Sequence, residues 1–296
     1  MFSGRSVNKM DPNEKKKESF LYITWHRLCK NRLAMVGLVI IVLMALIAIF
    51  APYIMPYGYD EMDLVNAMKG PTKEHWFGTD DFGRDILSRI MYGGRYSLRI
   101  GILAVGFAAV VGVAIGAIAG YYGGAYDMTI MRILDVFQAV PGIILSIAVS
   151  ATLGPGFTNC IIALAIGMVP AFARMERASI LNIRRMDYLE AAISVNCRDF
   201  RIIVKHVLPN ALSPIIVQAT MSVATSILIA ASLSFIGLGV QPPTPEWGAM
   251  LSAGRNYIRN YPHMVIFPGA TIMLAVFSLN VLGDGLRDAL DPKLKQ

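Results

Sequence analysis

The sequence predicts an all-α polytopic membrane protein with six transmembrane helices, and three observations support this. The chain has 296 residues, of which 55% are hydrophobic and only 16% charged, whereas soluble domains carry about 25% charged residues. Its apolar residues are blocked together: stretches free of Asp, Glu, Lys, Arg and His run 33–59, 100–126, 136–173, 207–245 and 264–283. Its basic residues are unevenly distributed between the loops that these stretches define.

A helix needs about 20 apolar residues to cross a hydrocarbon core of roughly 30 Å. The run 136–173 is long enough for two crossings and is interrupted by Leu153-Gly-Pro-Gly156. The predicted spans are therefore 33–54, 101–121, 132–152, 158–173, 211–237 and 264–283. They are helices because lipid cannot satisfy open backbone groups. The first span follows a long polar stretch and exceeds the roughly 7–15 residues of a signal-peptide core, so it is read as a retained helix. With the N-terminus inside, cytoplasmic segments hold 19 of the 27 Lys and Arg residues and 12 of the 20 acids. The entire net charge of +7 then lies on the cytoplasmic side. That pattern accounts for the basic character without nucleic acid, and Lys15-Lys16-Lys17 reads as a solvated topology signal.

Along the chain this gives a cytoplasmic tail (1–31), mostly disordered with a short amphipathic lead-in at Phe20, Leu21, Ile23 and Trp25. The first membrane helix (32–55) and an external segment (56–99) follow. A five-helix core (100–285) contains a cytoplasmic loop at 174–210 and an external loop at 239–263, and a cytoplasmic tail (286–296) closes the chain. In the first external segment Thr79, Asp80, Asp81, Gly83 and Asp85 are turn and cap residues. Asp85 is placed to N-cap a helix starting at Ile86. In the second, Pro242, Pro243 and Pro245 resist regular structure, and Trp247 suits an interfacial anchor. Gly112, Gly116 and Gly120 form a small-xxx-small face, read equally as packing within the chain or against a partner subunit. No internal repeat is evident. Cys29, Cys160 and Cys197 are widely spaced and read as unpaired structural thiols. His26, His75, His206 and His263 form no metal-ligand cluster.

The cytoplasmic loop contains DYLEAAISVNCRDFRIIVKHVLPN, residues 187–210. Asp187 and Glu190 fit a capping box, with Leu189, Ala192 and Ile193 on one face of a helix of about two turns. Asn196 follows, the best non-glycine residue for a left-handed C′ position. Asp199 is then read as the N-cap of a second helix whose Phe200, Ile203, Val204 and Val207 share a face. Ala191 and Ala192 make the first helix slim. Such a helix can enter a groove in another protein or lie on the headgroups, and physics alone favours neither.

This segment resembles the EAA loop of bacterial ABC-importer permeases: Glu190-Ala191-Ala192 and Leu208-Pro209 match, with Asn196 where the family usually has glycine. The resemblance covers about residues 30 to 293 and is closest to the dipeptide, oligopeptide and nickel group, C-type subunit. Gly78-Thr79-Asp80-Asp81-Phe82-Gly83-Arg84-Asp85 carries it in the external segment, with Phe77 replacing the usual leucine. Ala231–Val240, Gln241–Gly248 and Gly283–Pro292 carry it further along. The resemblance implies a type I ABC importer permease fold with a cytoplasmic coupling helix, centred on Asp187, Glu190, Ala191, Ala192, Asn196 and Asp199. It implies a second, B-type permease subunit, two ATPase subunits that bind ATP and Mg, and an external substrate-binding protein delivering di- or oligopeptides, nickel or another small solute. No cofactor is implied for this chain itself, and the localisation implied is the bacterial cytoplasmic membrane.

What the sequence lacks points the same way. There is no G-x-x-x-x-G-K-[ST] for nucleotide, and no ionisable residue lies at the centre of a predicted span, where proton-driven carriers place them. Asp135 is read as paired locally with Arg132. No HExxH or GxSxG appears, so a membrane enzyme is disfavoured. A self-contained secondary transporter is the main rival. Gln218, Ser222 and Thr225 share a face of the fifth span. They are read either as lining an aqueous passage or as interhelical hydrogen-bonding groups.

Overall fold

The computed structural model describes residues 20–194 and 196–290; the side chains at 20, 21, 23 and 190–193 lie outside it. The expectations for 1–19 and 291–296 therefore fall outside the described residues. Among the described residues all regular structure is helical. Five helices are long and apolar enough to cross a membrane, and a sixth crossing is possible if one bent pair counts as a span.

The amphipathic lead-in is helix α1 (Phe20–Lys30), followed by α2 (Arg32–Ile54). Asn31 separates them and caps α2, its side chain accepting the Ala34 N–H at 3.2 Å. Helix α2 shows apolar side chains almost all round, as a lipid-facing span does. It packs on the last helix, α11 (His263–Leu290), where a Cβ on Gly37 would lie 2.6 Å from the Ser278 carbonyl oxygen.

Helix α3 (Ile86–Tyr122) has 37 residues, about 55 Å at 1.5 Å per residue, far more than the bilayer core requires. It starts where Asp85 caps it: Oδ2 accepts the Ser88 N–H at 2.7 Å. The predicted third span, 132–152, is instead two helices, α4 (Gly124–Gln138) and α5 (Gly142–Leu153), bent by 82°. Pro141 stands at the break. It has no N–H to continue α4, and it pushes Val140 out of the helical region.

Helix α6 (Phe157–Ile183) begins after the predicted break, with Gly154 and Gly156 at φ +83° and +146°. It runs ten residues beyond the predicted end of its span. Asp135 pairs across helices with Arg174 of α6 rather than with Arg132, and Asp127 pairs with Arg177. Helix α9 (Leu208–Phe235) continues a π-turn at Ile203–Val207. Helix α11 likewise extends through Leu290, into the segment read as tail.

Helices α3, α6 and α9 form the centre. The glycine face of α3 meets α6 within the chain: added Cβ atoms at Gly112, Gly116 and Gly120 would lie 2.5 Å from Phe172 Cβ, 2.3 Å from the Ala173 oxygen and 3.0 Å from Ile180 Cβ. Only glycine allows the two backbones this close.

The end opposite the hairpin is closed by α10 (Trp247–Gly254). Trp247 is not an interfacial anchor: it is 2% exposed, and its Nε1–H donates to the Ile90 carbonyl at 2.9 Å. A tryptophan whose N–H finds a buried acceptor can enter a core.

Candidate functional site

The hairpin at 187–202 is built from α7 (Asp187–Ser194), a turn and α8 (Asp199–Ile202). Asp187 is the first residue of α7. The side chains of Glu190, Ala191 and Ala192 lie outside the described residues, and so does the capping box that needs Glu190. Asn196 has φ +55°, the left-handed conformation that its side chain tolerates best after glycine. Asn196→Gly keeps that conformation and is expected to leave uptake within about twofold of wild type; uptake assays on the variant check this.

Asp199 is not an N-cap. Arg198 occupies that position, and Asp199 is the first helical residue. Its Oδ1 accepts a hydrogen bond from the Tyr121 hydroxyl at 2.8 Å, 78 residues away at the end of α3. The buried face of the second arm also differs from expectation. Phe200 is 78% exposed and Val204 47%, whereas Ile202 and Val207 are buried. The π-turn explains the change, because its extra residue per turn brings positions five apart, Ile202 and Val207, onto one face.

The hairpin is thus fixed to the adjacent ends of three helices. Leu189 and Ile202 bury with Ala117 and Tyr121 of α3, Ile180 and Ile183 of α6, and Ala211 of α9. Tyr188, Phe200 and Val204 remain exposed. A force applied to the hairpin is transmitted to α3, α6 and α9 together, because densely packed side chains have little free volume to absorb a displacement.

The motif at 78–85 forms a compact knot. Gly78 and Gly83 have φ +77° and +76°. A Cβ on Gly83 would fall 1.8 Å from the Asp63 oxygen. Thr79, Asp80, Arg84 and Asp85 are buried. Asp80 accepts backbone N–H bonds from Phe82 and Arg84 at 2.9 and 3.0 Å, and the Arg84 Nε–H at 2.7 Å. Arg89 Nε lies 3.5 Å from the same carboxylate. His75 Nδ1 is 3.0 Å from Asp85 Oδ1, and His263 Nε2 of α11 is 3.1 Å from the Thr79 oxygen. Asp81 Oδ1 has no hydrogen-bond partner among the described residues and lies 3.7 Å from an Arg84 nitrogen. Burial first, and Asp80 second, push its carboxyl above the usual range. These contacts tie the α2–α3 connection to α11; they are structural bonds, not an open ligand site.

Of the three polar residues predicted to share a face of α9, Gln218 Nε2 donates to the Ser222 oxygen at 3.2 Å, and Ser222 is buried. Thr225 bonds back to the Met221 carbonyl. Gln218 also faces a cavity of about 590 Å³ between α6, α9 and α11, whereas Ser222 and Thr225 do not line it.

Sequence reading missed two groups. Glu246 is 1% exposed and caps α10, accepting the Gly248 and Ala249 N–H groups at 2.9 Å each and the Ser97 hydroxyl at 3.0 Å. Glutamate is an unusual cap, so nothing local announced it. Glu176 on α6 is 0% exposed, and neither carboxylate oxygen has a hydrogen-bond partner among the described residues. It lies in the extension of α6 past the apolar run. No group of His, Cys, Asp and Glu suited to a metal occurs among the described residues.

Residues 112–296 match the family described as the binding-protein-dependent transport system inner membrane component. Residues 19–71 match the N-terminal transmembrane domain of oligopeptide transport permease C. The dipeptide transport system permease protein DppC of Alkalihalophilus pseudofirmus is 52% identical over 91% of this chain and 88% of its own length. The glutathione transport system permease protein GsiD of Escherichia coli is 48% identical over 92% and 90%. Among solved structures, the inward-facing MetNI methionine ABC transporter aligns with TM-score 0.55 at 21% identity, over 69% of this chain and 96% of that one. An amino acid ABC transporter with histidines aligns with TM-score 0.51 at 18% identity, over 69% and 98%. Both share the fold.

Proposed function

Because the chain belongs to the binding-protein-dependent transport inner-membrane family, we propose that it is a permease subunit of an ATP-driven importer that takes up di- or oligopeptides delivered by an external binding protein. The single observation that carries the mechanism is the mounting of the hairpin. Leu189 and Ile202 are buried against α3, α6 and α9, while Tyr188 and Phe200 face outward. An ATPase gripping the outer face of α7 moves the ends of three membrane helices at once. The chain is non-catalytic in this reading. ATP and Mg are bound by two partner ATPase subunits, and a B-type permease completes the pathway, with Gln218 of α9 on its wall. The peptide assignment rests on relatives whose names specify dipeptide and glutathione transport.

The test is to reconstitute this chain with its companion permease and ATPases. ATP hydrolysis stimulated by peptide-loaded binding protein supports the importer; solute flux from this chain alone without ATP overturns it. The buried carboxyl of Glu176, without a hydrogen-bond partner among the described residues, favours the rival self-powered carrier, and the same flux assay decides between them.

In this reading the chain sits in the inner membrane of a bacterium with both termini facing the cytoplasm. Lys73→Cys, at an exposed position that this topology puts outside the cell, is then expected to react in intact cells with an impermeant thiol reagent. Native Cys197 in the hairpin is expected to react only after lysis. The reverse pattern inverts the topology.

A further inference from the structure

The cavity between α6, α9 and α11 opens at the helix ends that flank the hairpin. Its polar wall is Ser179, Asn182, Asn210, Ser213, Gln218 and Arg287. Ser179 bonds to its own helix, and Asn210 and Gln218 each spend their amide N–H₂ within α9 and the π-turn, so that their side-chain oxygens have no partner among the described residues. Asn182, Ser213 and Arg287 have no hydrogen bond or ion pair with any described residue. Asp284 and Asp288 of α11 are exposed and do not line the cavity, and no carboxylate does among the described residues. The remaining wall is methionine and aliphatic side chains. A volume of about 590 Å³ is within the range of small-molecule sites, which run about 300–1,000 Å³.

We propose that this cavity is the exit-side station of the transported solute, and that Arg287 there holds the solute's carboxylate. Arginine presents a planar fork that meets a carboxylate with two parallel hydrogen bonds. The Gln218 and Asn210 oxygens accept amide N–H groups, and Asn182 and Ser213 donate to amide carbonyls. That set fits a small peptide with a free C-terminus. With no acidic group on the wall, the amino end is not read here. The depth of the polar wall argues against a lipid headgroup as the occupant. Gln218 lies ten residues into α9, about 15 Å past the helix start, whereas a headgroup would meet only the mouth. The inference rests on the importer reading and narrows it to carboxylate-bearing solutes.

The test uses the whole transporter in nanodiscs, without ATP or binding protein, and reads thiol labelling of Val217→Cys in the cavity wall; Met175→Cys is a second reporter. The dipeptide Ala-Phe is expected to protect the thiol, and Ala-Phe amide to need a roughly tenfold or greater concentration for the same protection, as loss of a charge-assisted pair implies. Arg287→Gln should bring the free dipeptide to the level of the amide, and Arg287→Lys should restore part of the difference. Equal protection by both peptides overturns the proposal, as does no protection or protection indifferent to Arg287→Gln. Labelling that follows phosphatidylglycerol content and ignores peptide makes the cavity a lipid site and also overturns it. Binding-protein-stimulated ATP hydrolysis in the same preparation reports the importer reading separately. Stimulation without protection sinks only the exit site; loss of both sinks the importer as well.

Discussion

Gly116→Val is expected to prevent α3 and α6 from closing on each other. Even the first atom of the new side chain would sit 2.3 Å from the Ala173 carbonyl oxygen and 2.9 Å from Glu176 Cβ. The obstacle is helix backbone, which cannot rotate away as a side-chain tip can. Overpacking of a core costs about 1–3 kcal/mol when neighbours can yield, so about 3 kcal/mol or more is expected here. This contact joins two of the three central helices, and the hairpin packs at the same end of both. The measurable result is a severalfold loss of monodisperse purified protein and a lowered unfolding temperature. Gly106→Val is the control: its Cβ would meet nothing within 4 Å, and the variant is expected to purify like wild type. Equal yields for the two variants would mean that α3 and α6 do not meet through this face.

Glu246→Ala is expected to produce the other large effect. Its carboxylate gathers three donors in a site that is 1% exposed: the Ser97 hydroxyl and the Gly248 and Ala249 N–H groups. Ser97 in turn accepts the Trp247 N–H at 3.1 Å, so one carboxylate fastens α10 to α3. Truncation removes an N-cap, worth about 0.5–2 kcal/mol. It also strands buried donors at about 1–3 kcal/mol each. A loss of about 3–5 kcal/mol follows if the site stays dry. Glu246→Gln keeps one acceptor oxygen and replaces the other by N–H₂, so it should fall between. Thermal unfolding of the purified chain checks the order wild type, Gln, Ala; an Ala variant as stable as wild type would remove Glu246 from the account of the closure by α10.

Much of the architecture was legible because the signals were local or compositional. The lipid-facing run of α2, the Asp85 cap, the Gly-Pro-Gly break before α6 and the left-handed Asn196 all follow from residues within a few positions. Hydropathy located the crossings but not the helix ends. It measures what lipid accepts, whereas α3, α6 and α11 continue as far as capping and packing allow. Pro141 was the available signal for the bend between α4 and α5, and an uncharged run around it masked the break. The exposed faces of Phe200 and Val204 were misassigned because a 3.6-residue period was carried through a π-turn. The pairings Tyr121–Asp199 and Asp135–Arg174 join distant segments and have no local signature. The hairpin was visible as a family pattern, but its mounting on three helix ends was visible only in the packing.

The claim that the hairpin is a joint to an ATPase is tested most directly by Ala191→Trp on α7. The complex is purified through a tag on this chain, and the companion permease and the ATPases are quantified. The account predicts that the companion permease is recovered as with wild type while ATPase recovery falls about tenfold or more, the change expected when roughly 1.4 kcal/mol or more of binding is lost. ATPase recovered in undiminished amount, with an indole where the slim face of α7 should enter its partner, would contradict the account.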